Sequence, residues 1–353
     1  MLQSNSQSRY ILNQIDGSAD KILFNPCSRD NCAEPYIRLK RRCEEFGYIF
    51  EGTKNQSLED CRWLLFWDCS SLKPKNRIKA KIKGYSKRNL YLEAKMAGMR
   101  DRMVLFLFEP PSVFPENYNR TLHEEFSIIF TWDPTLVDGK KYFKIFLPSP
   151  KDFPKADAVS FSQKKLMVNI SSYRFSSNPR ELYSEIRRTI RFFEEHYPDE
   201  FDLYGHFWNM NLKQRLVHWR TKYQIRRDYF PSYRGVAGNK WTVYPKYKFA
   251  LCYENTSQPG YVSLKIFDCL RSGCVPIYLG APDITDYVDK EAFIDRRNFK
   301  TLEDMGKYLC YVDEKEYQNY IDAGKVYQES DRFRLFLSEN FVDTIVHTLK
   351  ISK

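Results

Sequence analysis

Residues Tyr247 to Pro282 read YKFALCYENTSQPGYVSLKIFDCLRSGCVPIYLGAP. Two continuous apolar runs, FALCY and CVPIYLG, flank a polar loop and a short segment bounded by Ser263 and Gly273. Runs that are apolar at every position, rather than at every second one, belong to strands buried on both faces, and so to parallel sheet. Parallel strands need a crossover, and the segment from Ser263 to Gly273 suits a short helix, with serine as its N-cap and glycine as its stop. Lys265 then falls in the first helical turn, where a positive charge opposes the helix dipole. The amides of a helix N-terminus together with one lysine make a phosphate site. A stray surface lysine on an ordinary βαβ unit is the bland alternative.

The same alternation runs through the rest of the chain. KILFNP (21–26), YIFEG, CRWLLFWDC (61–69), DRMVLFLFEPPS (101–112), EFSIIFTWDP and YFKIFLPSP read as strands, and EPYIRLKRRCEEFG (34–47) and NLYLEAKMAGM (89–99) as helices. The pattern lapses into Pro, Ser, Lys and Asp over 147–165, which reads as a linker. A second alternation follows: KLMVNISS strand, NPRELYSEIRRTIRFFEEHYP helix, FDLYGHF strand, the opening stretch, AFIDRRNF, a helix at TLEDMGKYLCYV and a terminal helix, DRFRLFLSENFVDTIVHTLKISK. Two Rossmann-like α/β halves with a cleft between them fit best, and in such sheets ligands bind at the C-terminal ends of strands.

A chain of 353 residues is comfortable for two domains, and 42% hydrophobic and 16% aromatic content supplies their cores. There is no apolar run of membrane-spanning length and no secretory leader pattern, so a soluble, cytoplasmic protein is expected. The nine cysteines are odd in number and lie mostly inside apolar runs, which points to buried thiols rather than a disulfide framework. Cys27 and Cys32 lack a second ligand pair, so no structural zinc is expected. The net charge of +11 is concentrated between Leu72 and Arg88 and between Gly205 and Phe249. Such patches suit a phosphorylated small molecule, an anionic lipid surface touched peripherally, or simple solvation. No nucleic-acid-binding signature accompanies them, and nucleic acid is the weakest reading.

The opening stretch resembles the signature of the α1,3/α1,4-fucosyltransferase family: Y-K-F, then F-E-N, then Y-[IV]-T-E-K, then V-P-[IV]-x-x-G. LFEPPSVFPENYN (107–119) is similar to that family's F-E-S-P-S segment, and SSNPRELYSEI (176–186) to an arginine-bearing segment after its linker. FDLYGHF and SYRGVAGNKWTVYPKYKF are similar to two further runs, so the likeness spans most of residues 100 to 310. The resemblance implies a GT-B fold, two Rossmann-like domains facing across a cleft. It divides the chain into an acceptor domain (1–155), a nucleotide-sugar domain (156–335) and a terminal helix (336–353) able to cross back to the first domain. It also implies an inverting, metal-independent transfer of L-fucose from GDP-fucose to a glycan or glycoconjugate acceptor, with no cofactor beyond the nucleotide sugar.

Roles follow by position. Glu109 would be the general base, since a hydroxyl must lose its proton as the new bond forms. Turn capping before Pro110 and Pro111 is its alternative. Arg180 and Lys265 would stabilise the leaving diphosphate. Asn255, Tyr261, Glu254, Leu264, Arg234 and Lys240 complete the implied donor site. No metal ligand is implied, and the chain has no Asp-x-Asp. One departure matters: the family's glutamate before the motif lysine is Leu264 here, and leucine cannot accept a sugar hydroxyl. Another GDP- or UDP-linked sugar on an exostosin-like GT-B enzyme is therefore the alternative donor. A noncatalytic glycan-binding protein is the alternative of another class. Trp208, Trp219 and Trp241 could stack on sugar rings, though core packing is the better expectation for at least two of them.

Overall fold

A computed structural model describes residues 10–14, 29–52, 57–72, 88–153, 159–210 and 229–352. They form two units, Met1–Lys151 with Phe336–Lys353, and Asp152–Leu335. The KILFNP segment, Trp219, and residues 73–87 and 211–228 of the two basic patches lie outside the described residues.

In the first unit the strands are β1 (Tyr10–Gln14), β2 (Ile49–Glu51), β3 (Cys61–Trp67), β4 (Met103–Leu107), β5 (Ile128–Thr131) and β6 (Tyr142–Lys144). They form one parallel sheet in the order β2-β1-β3-β4-β5-β6. Side chains alternate across it. Ile11, Leu65, Val104, Phe106 and Phe130 pack on one face against Leu39 and Cys43 of α1 (Glu34–Glu45) and against Phe341, Val342 and Ile345 of the terminal helix, Ser338–Thr348. Leu12, Leu64, Phe66, Leu105 and Ile129 pack on the other against Leu90, Tyr91 and Ala94 of α2 (Leu90–Met96). Covering both faces is what lets β4 be buried at all five positions.

The terminal helix starts later than its sequence reads. The backbone around Leu337 is extended and pairs with Ser149, which donates to Phe336 O at 2.6 Å and accepts from Ser338 N at 3.1 Å. A helix cannot continue through residues so paired, so a one-turn helix, Asp331–Arg334, is separated from the terminal one.

The second unit has β7 (Lys165–Ile170), β8 (Phe201–Tyr204), β9 (Tyr247–Tyr253), β10 (Val275–Leu279) and β11 (Ile294–Asp295), all parallel, in the order β11-β10-β9-β7-β8. Its helices include α3 (Tyr183–His196), α4 (Leu264–Arg271), α5 (Leu302–Tyr311) and α6 (Glu314–Gln328). The Ser263 side chain caps α4, and Gly273, in the left-handed region at φ +66, ends it. In both units the strand order reverses beside the first described strand, at β1/β3 and at β7/β9. A doubly wound sheet binds ligands outside the C-terminal ends of strands at such a reversal.

Among the described residues eight cysteines are free thiols and six of these are buried. No described helix is long and apolar enough to cross a membrane.

Candidate functional site

The β7/β9 reversal in the second unit is built by two chain segments stitched together. The segment ahead of α3 reads as helix in the sequence, yet α3 begins only at Tyr183. The residues before it pair with the loop after β9 instead. Arg180 O accepts from Ser257 N (2.8 Å) and Thr256 Oγ1 (3.1 Å), Glu181 bridges Thr256, and Leu182 N donates to Asn255 O (3.3 Å). Arg180 is therefore an exposed residue of a turn, its backbone held by Thr256 and Ser257, rather than a first-turn helical residue.

Lys265 is not a stray surface lysine. Its Nζ folds back to donate to Tyr253 O (2.7 Å) and Asn255 Oδ1 (3.2 Å), and lies 3.6 Å from Glu254 Oε2. Asn255 Nδ2 in turn reaches the hydroxyl of buried Tyr261 at 3.3 Å. The lysine at the helix start thus has a fixed acidic neighbour. Glu254 itself is fully buried. Its two oxygens accept from Ser263 N (2.7 Å) and Ser263 Oγ (2.6 Å). Burial pushes its carboxyl above the ordinary glutamate value, with Lys265 and Ser263 opposing the rise. A carboxylate so enclosed shapes the loop from residue 254 to 263 and braces Lys265. The motif's last glycine has the same cause, because a Cβ at Gly280 would meet Glu254 Cγ at 2.5 Å. Leu264 is half-buried at the first position of α4.

Arg234 and Lys240 are each paired with an aspartate. Arg234 Nε donates to Asp202 Oδ1 at 2.7 Å. Asp202 also receives Lys165 and Tyr247, the first residues of β7 and β9, so this cluster lies toward the strand starts. Lys240 Nζ pairs with buried Asp268 at 2.5 Å, a helical turn beyond Lys265. These pairings join residues distant in sequence, and the sequence alone does not show them. Trp208 and Trp241 are core residues, 3% and 4% exposed. Trp208 donates to Ser171 O (2.7 Å). Gly205 makes room there, since any Cβ on it would overlap that carbonyl.

In the first unit Glu109 is half-buried, two residues past β4. Its turn is anchored by Asp68, the residue after β3 and thus at the β1/β3 reversal. Asp68 Oδ1 accepts from Phe108 N (2.8 Å), Glu109 N (3.1 Å) and Asn117 Nδ2 (2.6 Å). Burial pushes the Asp68 carboxyl up to about 6 against those three donors. Tyr36 and Tyr118 border both acids. Neither Asp68 nor Asn117 stood out in the sequence. The signal was there only in part: an aspartate closing an apolar strand run, and an asparagine within the PENYN string. Among the described residues no cluster of His, Cys, Asp or Glu is placed to hold a metal.

Comparison with known proteins finds a family match that falls mainly in the second unit. Residues 237–339 match the model of glycosyltransferase family 10 (fucosyltransferase), C-terminal part. The chain is 36% identical over 74 residues to an α-(1,3)-fucosyltransferase, FucT, of Helicobacter pylori, and 41% identical over 63 residues to an α-(1,4)-fucosyltransferase of Arabidopsis thaliana. These stretches are 21% and 18% of this chain and 16% of each relative's own length. In fold, it matches the crystal structure of an α1,3-fucosyltransferase with GDP at a TM-score of 0.54 and 14% identity, over 99% of this chain and 92% of that one. Two parallel-sheet α/β units with this match make the fold GT-B. Glu109 and Arg180 lie outside the family-matched residues.

Proposed function

We propose that this chain, which belongs to glycosyltransferase family 10 through residues 237–339, is an inverting glycosyltransferase that moves L-fucose from GDP-fucose to a hydroxyl of a glycan or glycoconjugate. The observation that carries the reading is the grouping of Asn255, Tyr261 and Lys265 at the β7/β9 reversal, with the Arg180 backbone bonded to Thr256 of the same loop. A nucleoside diphosphate needs cations in fixed positions as the glycosidic bond breaks, and cations already held by hydrogen bonds need little reorganisation. Arg180 supplies an exposed guanidinium and Lys265 a braced ammonium. Glu109 takes the proton from the acceptor hydroxyl. The reading asks for no metal, because the two cations carry the leaving charge.

Arg180→Ala tests it. Loss of a charge-assisted phosphate contact removes about 1.5–3 kcal/mol, so GDP should bind ten- to a hundredfold more weakly. Isothermal titration with GDP and with UDP reads this directly. GDP affinity unchanged in Arg180→Ala would show that the donor lies elsewhere.

Leu264 favours a second reading, in which the donor is another GDP- or UDP-linked sugar. If the donor is GDP-fucose, Leu264→Glu adds an acceptor for sugar hydroxyls at the start of α4, and GDP-fucose affinity is kept or improved. If another sugar fills the pocket, the new charge is desolvated without a partner and affinity for that donor falls. Wild-type preference for a UDP-sugar, lost in Leu264→Glu, would overturn the fucosyl donor and leave the transferase.

A further inference from the structure

We propose that Asp68 and Asn117 are positioning residues for the transfer, a clamp that fixes the turn presenting Glu109; the inference rests on the reading of Glu109 as the base. The geometry is specific to that residue, since both backbone groups of Glu109 are held. Its N–H donates to Asp68 Oδ1 at 3.1 Å, and its carbonyl accepts from Asn117 Nδ2 at 2.9 Å. The same Asn117 amide donates to Asp68 Oδ1, joining the two holders, and Asn117 Oδ1 accepts from Cys69 N at 2.8 Å. The Asn117 side-chain amide thus spans three chain segments, the ends of β3 and β4 and the loop beyond.

An outer layer holds the clamp in turn. His123 Nε2 contacts Asn117 O at 2.8 Å, and His123 Nδ1 contacts the Tyr142 hydroxyl at 3.0 Å. Asn117 and His123 are fully buried. Asp68 N donates to Phe106 O (2.8 Å), and its backbone takes the left-handed region at φ 53, which disfavours most residues but is tolerated by Asp and Asn. A buried carboxylate in such a conformation is an unfavourable way to make a plain turn. It is a good way to hold a base within the small tolerance that proton transfer demands, because one oxygen can gather three donors only in one arrangement.

The experiment follows GDP released from GDP-fucose with a mixed pool of glycans as acceptor, alongside GDP titration. Asp68→Ala removes the acceptor oxygen and should lower kcat about 100-fold, with GDP affinity within twofold of wild type. Asp68→Asn keeps an oxygen in place and tolerates the backbone, and should recover most of the rate. Should Asp68→Ala fail to fold, Asn117→Ser, which removes the amide donor, carries the same expectation. In a Glu109→Gln background, Asp68→Ala should add no further loss, since a positioning residue acts only through what it positions. An additive loss in that background, a rate within threefold of wild type in Asp68→Ala, or no recovery in Asp68→Asn overturns the clamp. Full activity in Glu109→Gln alone overturns the base instead.

Discussion

Glu109→Gln should lower kcat by about 10³-fold and leave GDP affinity within twofold of the wild type. Glutamine has nearly the same shape, and the backbone bonds of residue 109 to Asp68 and Asn117 do not depend on its side chain. The turn therefore stays where it is while the group that removes the proton is gone. General-base removal typically costs 10²–10⁴ in rate. The proton matters only as the new bond forms, so the loss belongs to kcat and not to ground-state binding. Steady-state rates of GDP release, with titration of GDP as control, give both numbers. Turnover kept within tenfold of wild type would remove Glu109 from the chemistry.

Much of the fold was readable because it rests on local signals. Unbroken apolar runs such as MVLFL can only be doubly covered strands, and Ser263 and Gly273 bracket α4 as caps do. Helix α6 was missed for the converse reason. Its sequence, EKEYQNYIDAGKVYQ, is mostly polar, and it is held by few buried groups, Tyr317, Gly324 and Tyr327. Its approach to α4 uses the absence of a side chain: a Cβ at Gly324 would come within 3.1 Å of Leu270. The strand order and its reversals depend on pairings between distant segments, which no periodicity encodes. The resemblance found where Lys265 and Asn255 sit, but not what they touch. It does not show that Glu254 is buried beside Lys265, or that Arg234 and Lys240 are paired with Asp202 and Asp268. A basic residue's partner is a property of the folded chain; its charge alone is all the sequence shows.

The buried Glu254–Lys265 pair leads to the second large effect. Lys265→Ala removes the cation 3.6 Å from a carboxylate that has no exposure to water. Breaking such a pair by deleting one partner costs about 3–5 kcal/mol, because the remaining charge is left uncompensated. The loss must depend on pH. The folded-state pKa of Glu254 already lies above its ordinary value, and without Lys265 it rises further. Between the unfolded and folded values the native state binds more protons than the unfolded one, so stability falls as pH rises through that window. Urea denaturation should therefore show Lys265→Ala much closer to wild type at pH 5 than at pH 8. Adding Glu254→Gln removes the orphaned charge, and the double variant should regain most of the stability lost at pH 8. It should not regain GDP affinity if Lys265 also meets the diphosphate, since the ammonium is still missing. That split separates the two roles of one residue. A stability loss equal at both pH values and unrelieved by Glu254→Gln would refute the ion-pair account. Recovery of GDP binding in the double variant would show that Lys265 serves Glu254 alone, leaving Arg180 as the diphosphate's cation at the end of β9.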